Sequence, residues 1–321
     1  MESIDFSFKM DQILCLLGVL VSLFLVFFTA FIWSSSFAIS KLVMSSAAPL
    51  FVTGARMLLA GGILAGIVWA RGETLRFPRK VSMYIILLAF TGYYLANACE
   101  FLGLQKLSSA KACFIYGLSP FVSALFSYLQ LKEVLSLKKV VGLCLGLVSY
   151  FAYLILGGED LGEAWTWNFG FPEVLVLGAT CFAAFGWTLL RKIEITSSLS
   201  VMAINALAML VSGGFSLMHS LCTEPWDPTP IQNFPMFLGA VCALVFISNL
   251  ICYNLYARLL RKFSSTFLSF CNLIMPLFAA FYGWALLGES FPWGLLPATS
   301  FMILGCCLIY QEEFLQGYII S

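Results

Sequence analysis

The chain alternates long apolar segments with short polar ones, and each apolar segment is about as long as a membrane-spanning helix. The apolar runs are continuous and do not alternate with period two, which predicts helices and excludes the strands of a membrane barrel. Ten segments are predicted, at residues 17–43, 49–70, 82–104, 108–130, 138–156, 171–190, 198–217, 235–258, 265–287 and 292–310. The first is long for one crossing and too short for two, so its start is expected to tilt or to lie at the interface.

The composition places the protein in the same class. Of its 321 residues, 61% are hydrophobic and 10% are charged, and the mean hydropathy is +0.96. Soluble domains carry about 25% charged residues. We therefore expect an all-α integral membrane protein. The formal net charge of +1 provides no basic field for nucleic acid, so none is expected as a partner.

The sequence contains no recognisable arrangement of catalytic or metal-binding residues. The eleven cysteines form no CxxC pair, and nearly all lie in apolar segments, where they pack as small apolar side chains. The single histidine, His219, is predicted to be solvated in a loop, without a metal partner. No phosphate-binding loop, zinc-ligand spacing or catalytic triad is visible, so neither an enzyme nor a metal or cofactor site is predicted.

Positive charges predict the orientation. With both termini in the cytoplasm, thirteen of the seventeen Lys and Arg residues fall on the inner side, three fall outside, and Arg56 lies within a span. The N-terminus is acidic and lacks the basic start and cleavage site of a signal peptide. The segments "GGEDLGEAWTWNFG" and "HSLCTEPWDPTPIQN" are then external, and neither contains a Lys or Arg.

An internal repeat relates the two halves of the chain. Residues 106–133 and 262–289 align without a gap at an offset of 156 residues. Matching pairs include Lys106 and Lys262, Ser108 and Ser264, Ser109 and Ser265, Pro120 and Pro276, and Glu133 and Glu289. The repeat predicts a first five-helix half (1–156), an external connecting loop (157–170), a second five-helix half (171–310) and a cytoplasmic tail (311–321). Because each half has an odd number of spans, the halves insert with opposite orientation, and inverted repeats are typical of secondary transporters.

The same residues carry a family resemblance. The stretches "FIWSSSFAISKL", "PLFVTGARMLLAGG" and "SPFVSALFSYLQLKEVLSLKKVVG", with "MPLFAAFYGWALLGES" in the second half, resemble the drug/metabolite transporter superfamily and its ten-span EamA branch. The resemblance implies ten helices around a central cavity, with spans 5 and 10 at the edge, and transport of amino acids, nucleoside-like metabolites or drugs. Trp187 stands a few residues later than the family's usual second-half tryptophan, which leaves its role in the cavity open.

Polar and aromatic residues mark a candidate path. Tyr93, Asn97 and Glu100 lie at i, i+4 and i+7, on one face of span 3. Polar side chains avoid lipid, so this face is expected to line a cavity or to bond a neighbouring helix. The offset of 156 adds equivalent positions, and Trp33 joins from span 1, so the predicted substrate-binding set is Trp33, Tyr93, Asn97, Glu100, Tyr116, Asn249, Tyr253, Tyr256 and Asn272.

Charged residues lie close to this path near its outer end. Glu100 and Arg56 are inside spans, and Lys111 is near the outer end of span 4. An ionised carboxylate at that depth requires a partner, which Arg56, Lys111 or the cargo could supply. Arg56 and Lys111 are therefore predicted to act in charge recognition or gating, and a purely structural ion pair is the alternative. Glu133 is expected to cap or orient its loop.

The predicted lining suits a zwitterion that carries a ring or an onium centre, because aromatic faces stack on rings and attract organic cations. Within the superfamily, the Cys- and Phe-rich helices and the acidic N-terminus resemble the S-adenosylmethionine/S-adenosylhomocysteine exchangers of obligate intracellular bacteria. That resemblance implies metabolite exchange across the bacterial cytoplasmic membrane. The alternatives are an exporter of amino acids or drugs, proton-coupled through Glu100, and a non-transporting scaffold or sensor.

Two GxxxG patterns, "GILAG" (62–66) and "GLCLG" (142–146), permit close helix approach within the bundle or at a homodimer face. The expected partners are thus the small-molecule metabolite, the lipid bilayer and a second copy of the chain.

Overall fold

The computed structural model describes residues 2–107, 115–156, 170–197, 199–226, 230–275, 277–278 and 295–319. These ranges are helical apart from short connections, and they contain no strand, only an isolated bridge between Ala47 and Ile231. The helices are α1 (Glu2–Met44), α2 (Pro49–Ala70), α3 (Arg79–Leu88), α4 (Ala96–Leu104), α5 (Ser119–Leu131), α6 (Leu137–Leu156), α7 (Phe171–Thr196), α8 (Val201–Thr223), α9 (Phe234–Leu244), α10 (Tyr253–Leu259), α11 (Ser265–Cys271) and α12 (Leu295–Leu315). The all-α membrane class predicted from the sequence is confirmed.

Five helices in the described part of the chain are long and apolar enough to cross a membrane. They are Pro49–Ala70, Arg79–Leu104, Phe171–Thr196, Val201–Thr223 and Phe234–Leu259, and each overlaps one predicted span. Shorter apolar helical stretches, Leu20–Ser36 and Ser265–Ile274, lie in predicted spans 1 and 9. The predicted external loop falls outside the described residues, except for Gly170, as do parts of predicted spans 4, 9 and 10.

Two of the crossing helices contain a π-helical segment. Ala89–Leu95 joins α3 to α4, and Val245–Cys252 joins α9 to α10. The two segments begin 156 residues apart, which is the offset of the sequence repeat. A π turn is wider than an α turn and is often found at functional positions. Regular α-helical spacing was expected along spans 3 and 8, and that expectation is wrong at these two segments.

Helices α2 and α8 pack closely through small residues. A Cβ atom on Gly54 would lie 2.6 Å from the side chain of Leu217, and one on Gly61 would lie 2.9 Å from that of Leu210. Leu210 lies 156 residues after Gly54, and Leu217 lies 156 residues after Gly61. Each contact therefore joins one glycine to the repeat equivalent of the other glycine. The α2–α8 pair is therefore packed symmetrically.

Helices α6 and α12 show the same relationship. A Cβ on Gly305 would lie 2.8 Å from the carbonyl oxygen of Gly142, and the Ser149 hydroxyl donates a 2.6 Å hydrogen bond to the carbonyl of Ala298. Adding 156 to Gly142 and Ser149 gives Ala298 and Gly305. The glycines of "GLCLG" thus allow close helix packing within the bundle. A Cβ added at Gly62 or Gly66 of "GILAG" meets open space among the described residues.

Glu224 ties the two halves together at the predicted outer end. Its carboxylate accepts hydrogen bonds from the backbone N–H groups of Leu50 (2.7 Å) and Phe51 (2.9 Å) in the first turn of α2. Helix N-termini favour negative charge because their first N–H groups have no intrahelical partner. The backbone N–H of Ala48 donates to the carbonyl of Pro230 at 2.9 Å, which holds the two loops side by side.

Buried ion pairs join helices at the opposite end of the bundle, which is the predicted inner end. Lys139 pairs with Glu313 at 3.0 Å, and Arg191 pairs with Glu133 at 3.3 Å. The ring of Tyr318 lies 4.7 Å from Lys139 Nζ, and its carbonyl accepts a 2.9 Å bond from Arg191. Glu133 was expected to cap or orient its loop, and its side chain is buried and paired with Arg191.

A third pair explains why α7 continues past its predicted end at residue 190. Glu194 is buried within α7 and bonds Arg261 from the chain after α10. Because the partly exposed Arg261 satisfies the Glu194 carboxylate, the helix extends beyond its apolar run.

Candidate functional site

Five aromatic side chains meet where the two halves of the chain pack together. They come from α1, the first π segment, α7 and α10, and they are Trp33, Tyr93, Trp187, Tyr253 and Tyr256. We call this set the aromatic cluster. Four of its members belong to the set predicted from the sequence, and Trp187 was the residue whose role was left open.

The rings of the aromatic cluster contact one another directly. Trp187 lies 4.6 Å from Tyr256 and 5.3 Å from Tyr253, measured between ring centroids. Trp33 lies 5.4 Å from Tyr253 and 5.9 Å from Trp187. Tyr93 lies 5.0 Å from Tyr253, with the two rings at 79°. These are edge-to-face and tilted geometries, which aromatic pairs prefer.

A layer of amide side chains holds the tyrosines. The Tyr93 hydroxyl donates to Oδ1 of Asn205 at 2.8 Å, and Nδ2 of Asn205 donates to Oδ1 of Asn254 at 3.1 Å. Asn97 donates through Nδ2 to the backbone carbonyl of Tyr93 at 2.6 Å, and it is hydrogen-bonded to the side chain of Tyr253. Since buried polar groups require partners, this layer fixes the rings in place.

Charge adjoins the amide layer. Arg56 is 6% exposed, and its Nη2 donates to Oδ1 of Asn97. Its guanidinium lies over the ring of Phe101, 5.6 Å from the centroid. Glu100 hydrogen-bonds the side chain of Tyr116 and lies within electrostatic range of Arg56. The predicted pair of Arg56 and Glu100 is therefore brought close together, with each group bonded to a neutral side chain.

Two other predicted residues, Asn249 and Asn272, come from the second half of the chain. Asn249 is fully buried in the second π segment; its Nδ2 lies 3.3 Å from Sδ of Met57, and its Oδ1 is buried without a partner. Asn272 begins the 3-10 segment Asn272–Ile274, and within the described ranges no hydrogen bond joins it to the aromatic cluster. Lys111 lies outside the described residues.

One prediction about the histidine is wrong. His219 lies within α8 and not in a loop, and its Nδ1 is 3.1 Å from the hydroxyl of Tyr94. The helix extends past the predicted end at residue 217 because the polar residues Ser220 and Thr223 bond nearby groups, namely the Glu224 carboxylate and the His219 carbonyl. In the described part of the chain, no group of three His, Cys, Asp or Glu side chains could hold a metal ion.

Sequence reasoning missed Asn205 and Asn254. Asn205 is the only amide side chain in α8, which is an apolar helix. An amide within an apolar helix was also the feature that pointed to Asn97. Its equivalent position 156 residues earlier is Pro49, so the repeat did not select it. Asn254 adjoins Tyr253 on α10, where the preceding π segment places its Nδ2 3.2 Å from the carbonyl of Asn249, five residues back.

Two cavities open elsewhere on the described surface. One of about 440 Å³ lies between α1 and the end of α10 and includes Ser22, Arg258 and Lys262. The other, of about 260 Å³, is apolar and lies between α1, α11 and α12. Neither is lined by the aromatic cluster, whose rings close on one another.

The sequence matches the model of the EamA-like transporter family twice, over residues 20–155 and 170–311. The chain belongs to the EamA-like transporter family. As a family member, it is a multi-pass membrane transporter.

Curated relatives span nearly the whole chain. A protein of Chlamydia trachomatis serovar L2 named S-adenosylmethionine/S-adenosylhomocysteine transporter is 60% identical over 303 residues, which cover 94% of this chain and 92% of the relative. A relative of the same name from Chlamydia muridarum is also 60% identical over 303 residues, covering 94% and 95%. The uncharacterized inner membrane transporter YedA of Escherichia coli K12 is 26% identical over 285 residues, covering 88% and 86%.

A solved crystal structure has the same fold as this chain. It superposes with a TM-score of 0.72 at 18% sequence identity, covering 90% of this chain and 96% of the other. At that identity the likeness concerns the fold alone.

Proposed function

We propose that this transporter exchanges S-adenosylmethionine for S-adenosylhomocysteine across a bacterial cytoplasmic membrane. The observation that carries the proposal is the aromatic cluster with its adjoining amide layer and charges, in a chain 60% identical to transporters named for these two molecules. Adenine stacks on the aromatic cluster, and the sulfonium of S-adenosylmethionine lies against an aromatic face. The amino-acid end of either molecule lies toward the amides and charges.

The proposed architecture is two inverted repeats of five spans, with residues 1–156 and 171–310 as the two halves and both termini in the cytoplasm. The swapped contacts between α2 and α8 and between α6 and α12 support it, because a two-fold axis exchanges equivalent residues in this way. The matching starts of the two π segments support it as well. Inverted repeats provide alternating access by rocking about a shared site.

The aromatic cluster lies where alternating access requires a site. Its rings come from both halves, so a movement of one half against the other changes the distances between them. At the two ends of the bundle, the Glu224 contacts and the pair of Lys139 with Glu313 tie the two halves together. Opening one end while the other remains tied is the exchange cycle that we propose.

Uptake of radiolabelled S-adenosylmethionine into cells that express the chain tests the function. Cells preloaded with unlabelled S-adenosylhomocysteine should take up label faster than empty cells, and a proton uncoupler should leave this exchange intact. No uptake of either molecule would refute the proposal.

The second candidate, an exporter of amino acids or drugs coupled to protons through Glu100, is favoured by the depth of that carboxylate within α4. The same assay separates the two functions, because proton-coupled movement collapses with the uncoupler and does not require a preloaded exchange partner. Cells that carry the vector alone provide the baseline.

A further inference from the structure

Among the residues that the structure describes, no carboxylate forms a direct ion pair with the buried guanidinium of Arg56, and Glu100 interacts with it only at longer range. Nη2 bonds the neutral amide of Asn97, the planar face covers Phe101, and Nε is buried without a partner. Burying a cation is costly unless it is paired and hydrogen-bonded. The site therefore holds unused capacity to bind an anion.

The opposite charge lies nearby, and it too is bonded to a neutral group. Glu100 bonds the Tyr116 side chain, while Arg56 acts on it only over a longer electrostatic range. A cation and an anion that are held close, but bonded to neutral side chains, match a molecule that carries both charges itself. An α-amino acid group has a carboxylate for the guanidinium and an ammonium for the carboxylate.

Asn97 is the group that such a ligand would displace. It accepts a hydrogen bond from Arg56 and also bonds Tyr253, which lies in the aromatic cluster. A carboxylate can accept two parallel bonds from a guanidinium and binds it more strongly than an amide oxygen does. A carboxylate at Arg56 therefore takes the place of Asn97 Oδ1.

We propose that Arg56 is the anchor for the α-carboxylate of the cargo, with Glu100 receiving its α-ammonium group. The inference rests on the proposed function, since it assigns one end of the same cargo. It also links binding to movement, because displacing Asn97 breaks its bond to Arg56 and disturbs the side chain that lies beside Tyr253 of the second half.

The first experiment uses the unmodified protein. Unlabelled S-adenosylhomocysteine and its decarboxylated form, which keeps the adenosine, thioether and amine, compete with labelled S-adenosylmethionine for uptake. Loss of the carboxylate should weaken competition by about 10- to 100-fold, the range of a charge-assisted hydrogen bond. Equal competition by the two compounds would overturn the inference while leaving the proposed function standing.

The second experiment asks whether Arg56 is the group that reads the carboxylate. In Arg56→Gln the two competitors should become equally effective, whereas Arg56→Lys should keep part of the preference through its charge. Arg71→Gln, the same change at an exposed arginine, should keep the full preference. If Arg56 has only a structural role, Arg56→Gln would weaken both competitors equally and preserve their ratio. If Arg56→Gln does not fold, Arg56→Lys carries the comparison, since its preference for the carboxylate should fall below that of the unmodified protein.

Asn97→Asp provides a third arm. It places a carboxylate where the ligand carboxylate is expected, so the variant should lower cargo affinity at least about tenfold. The loss of the bond from Nδ2 to the Tyr93 carbonyl should at the same time lower the melting temperature of the purified protein. Unchanged cargo affinity in the folded Asn97→Asp protein would contradict the displacement of Asn97. If the unmodified protein takes up neither molecule, the proposed function is wrong and this inference falls with it.

Discussion

The hydroxyl of Tyr93 donates a 2.8 Å hydrogen bond to Oδ1 of Asn205, so a residue of the first half is bonded to one of the second. Asn205 in turn donates to Asn254, which lies beside Tyr253. Asn205 is completely buried, and Tyr93 is 1% exposed. The position of the tyrosine ring thus depends on α8, a helix that contributes no ring to the aromatic cluster.

The bond between Tyr93 and Asn205 should be measurable by a double-mutant cycle. Tyr93→Phe removes this bond alone and should lower the free energy of unfolding by about 1 kcal/mol, whereas Asn205→Leu also removes the bond to Asn254 and should lower it by more. Because both changes delete the same bond, their effects should not add. Strictly additive losses, measured in detergent by thermal unfolding, would show that the two side chains act independently.

Trp187 should contribute directly to cargo affinity. Its ring contacts Tyr256 and Tyr253, so Trp187→Leu removes a stacking surface and should weaken S-adenosylmethionine and S-adenosylhomocysteine by about 3- to 10-fold. The affinity for both cargoes should fall by the same factor, because both contain the adenine. Trp69→Leu is the control, since that ring is 82% exposed on the outside of the bundle. Unchanged competition constants for Trp187→Leu would remove the ring from the binding site.

The pair of Lys139 and Glu313 should be essential for folding. The side chains are 2% and 0% exposed, so Lys139→Met leaves a buried carboxylate unpaired, at a cost of about 3–5 kcal/mol. Combining it with Glu313→Leu should recover much of that loss. The neighbouring Lys138 is 65% exposed and 3.8 Å from Glu312, so Lys138→Met should change the melting temperature little. Similar melting temperatures for the two lysine variants would contradict this account.

Glu100→Gln separates charge from shape at the proposed ammonium position. The glutamine can still hydrogen-bond Tyr116, so the protein should fold normally, while cargo affinity falls about tenfold with the lost charge. Exchange should remain insensitive to the uncoupler. Glu73→Gln, at an exposed position, should behave as the unmodified protein. Misfolding of Glu100→Gln alone would indicate a structural ion pair, and uncoupler-sensitive uptake by the unmodified protein would favour the proton-coupled alternative.

Gly92 should tolerate no side chain. It lies in the first π segment, and a Cβ there would sit 2.7 Å from Cα of Gly186 on α7. Backbone cannot move aside as a flexible side chain does, so Gly92→Ala should destabilise the protein by about 1–3 kcal/mol. Gly62→Ala meets nothing within 4 Å and should be neutral or slightly stabilising. Thermal unfolding of the two variants, side by side, measures the difference.

The apolar pattern predicted where helices lie, because burial in lipid demands long uninterrupted hydrophobic runs. The repeat then predicted Tyr253 and Tyr256 from Asn97 and Glu100. The reasoning failed where interactions are specific to this bundle. Asn205 has no polar equivalent in the first half, and the ion partners Glu133 and Arg191 are 58 residues apart in sequence. The π segments have no distinctive residue pattern in the sequence.

Those π segments bear on the history of the chain. They begin at residues 89 and 245, each within a helix that supplies members of the predicted path. If the two halves arose by duplication, the simplest origin of both segments is one ancestral helix that already contained the wide turn. The ancestor would then have been a five-helix protein that assembled as an antiparallel pair. In such a pair, the residues now numbered Asn97 and Tyr253 began as the same position, facing itself across a symmetry axis, and later diverged into an amide and a phenol.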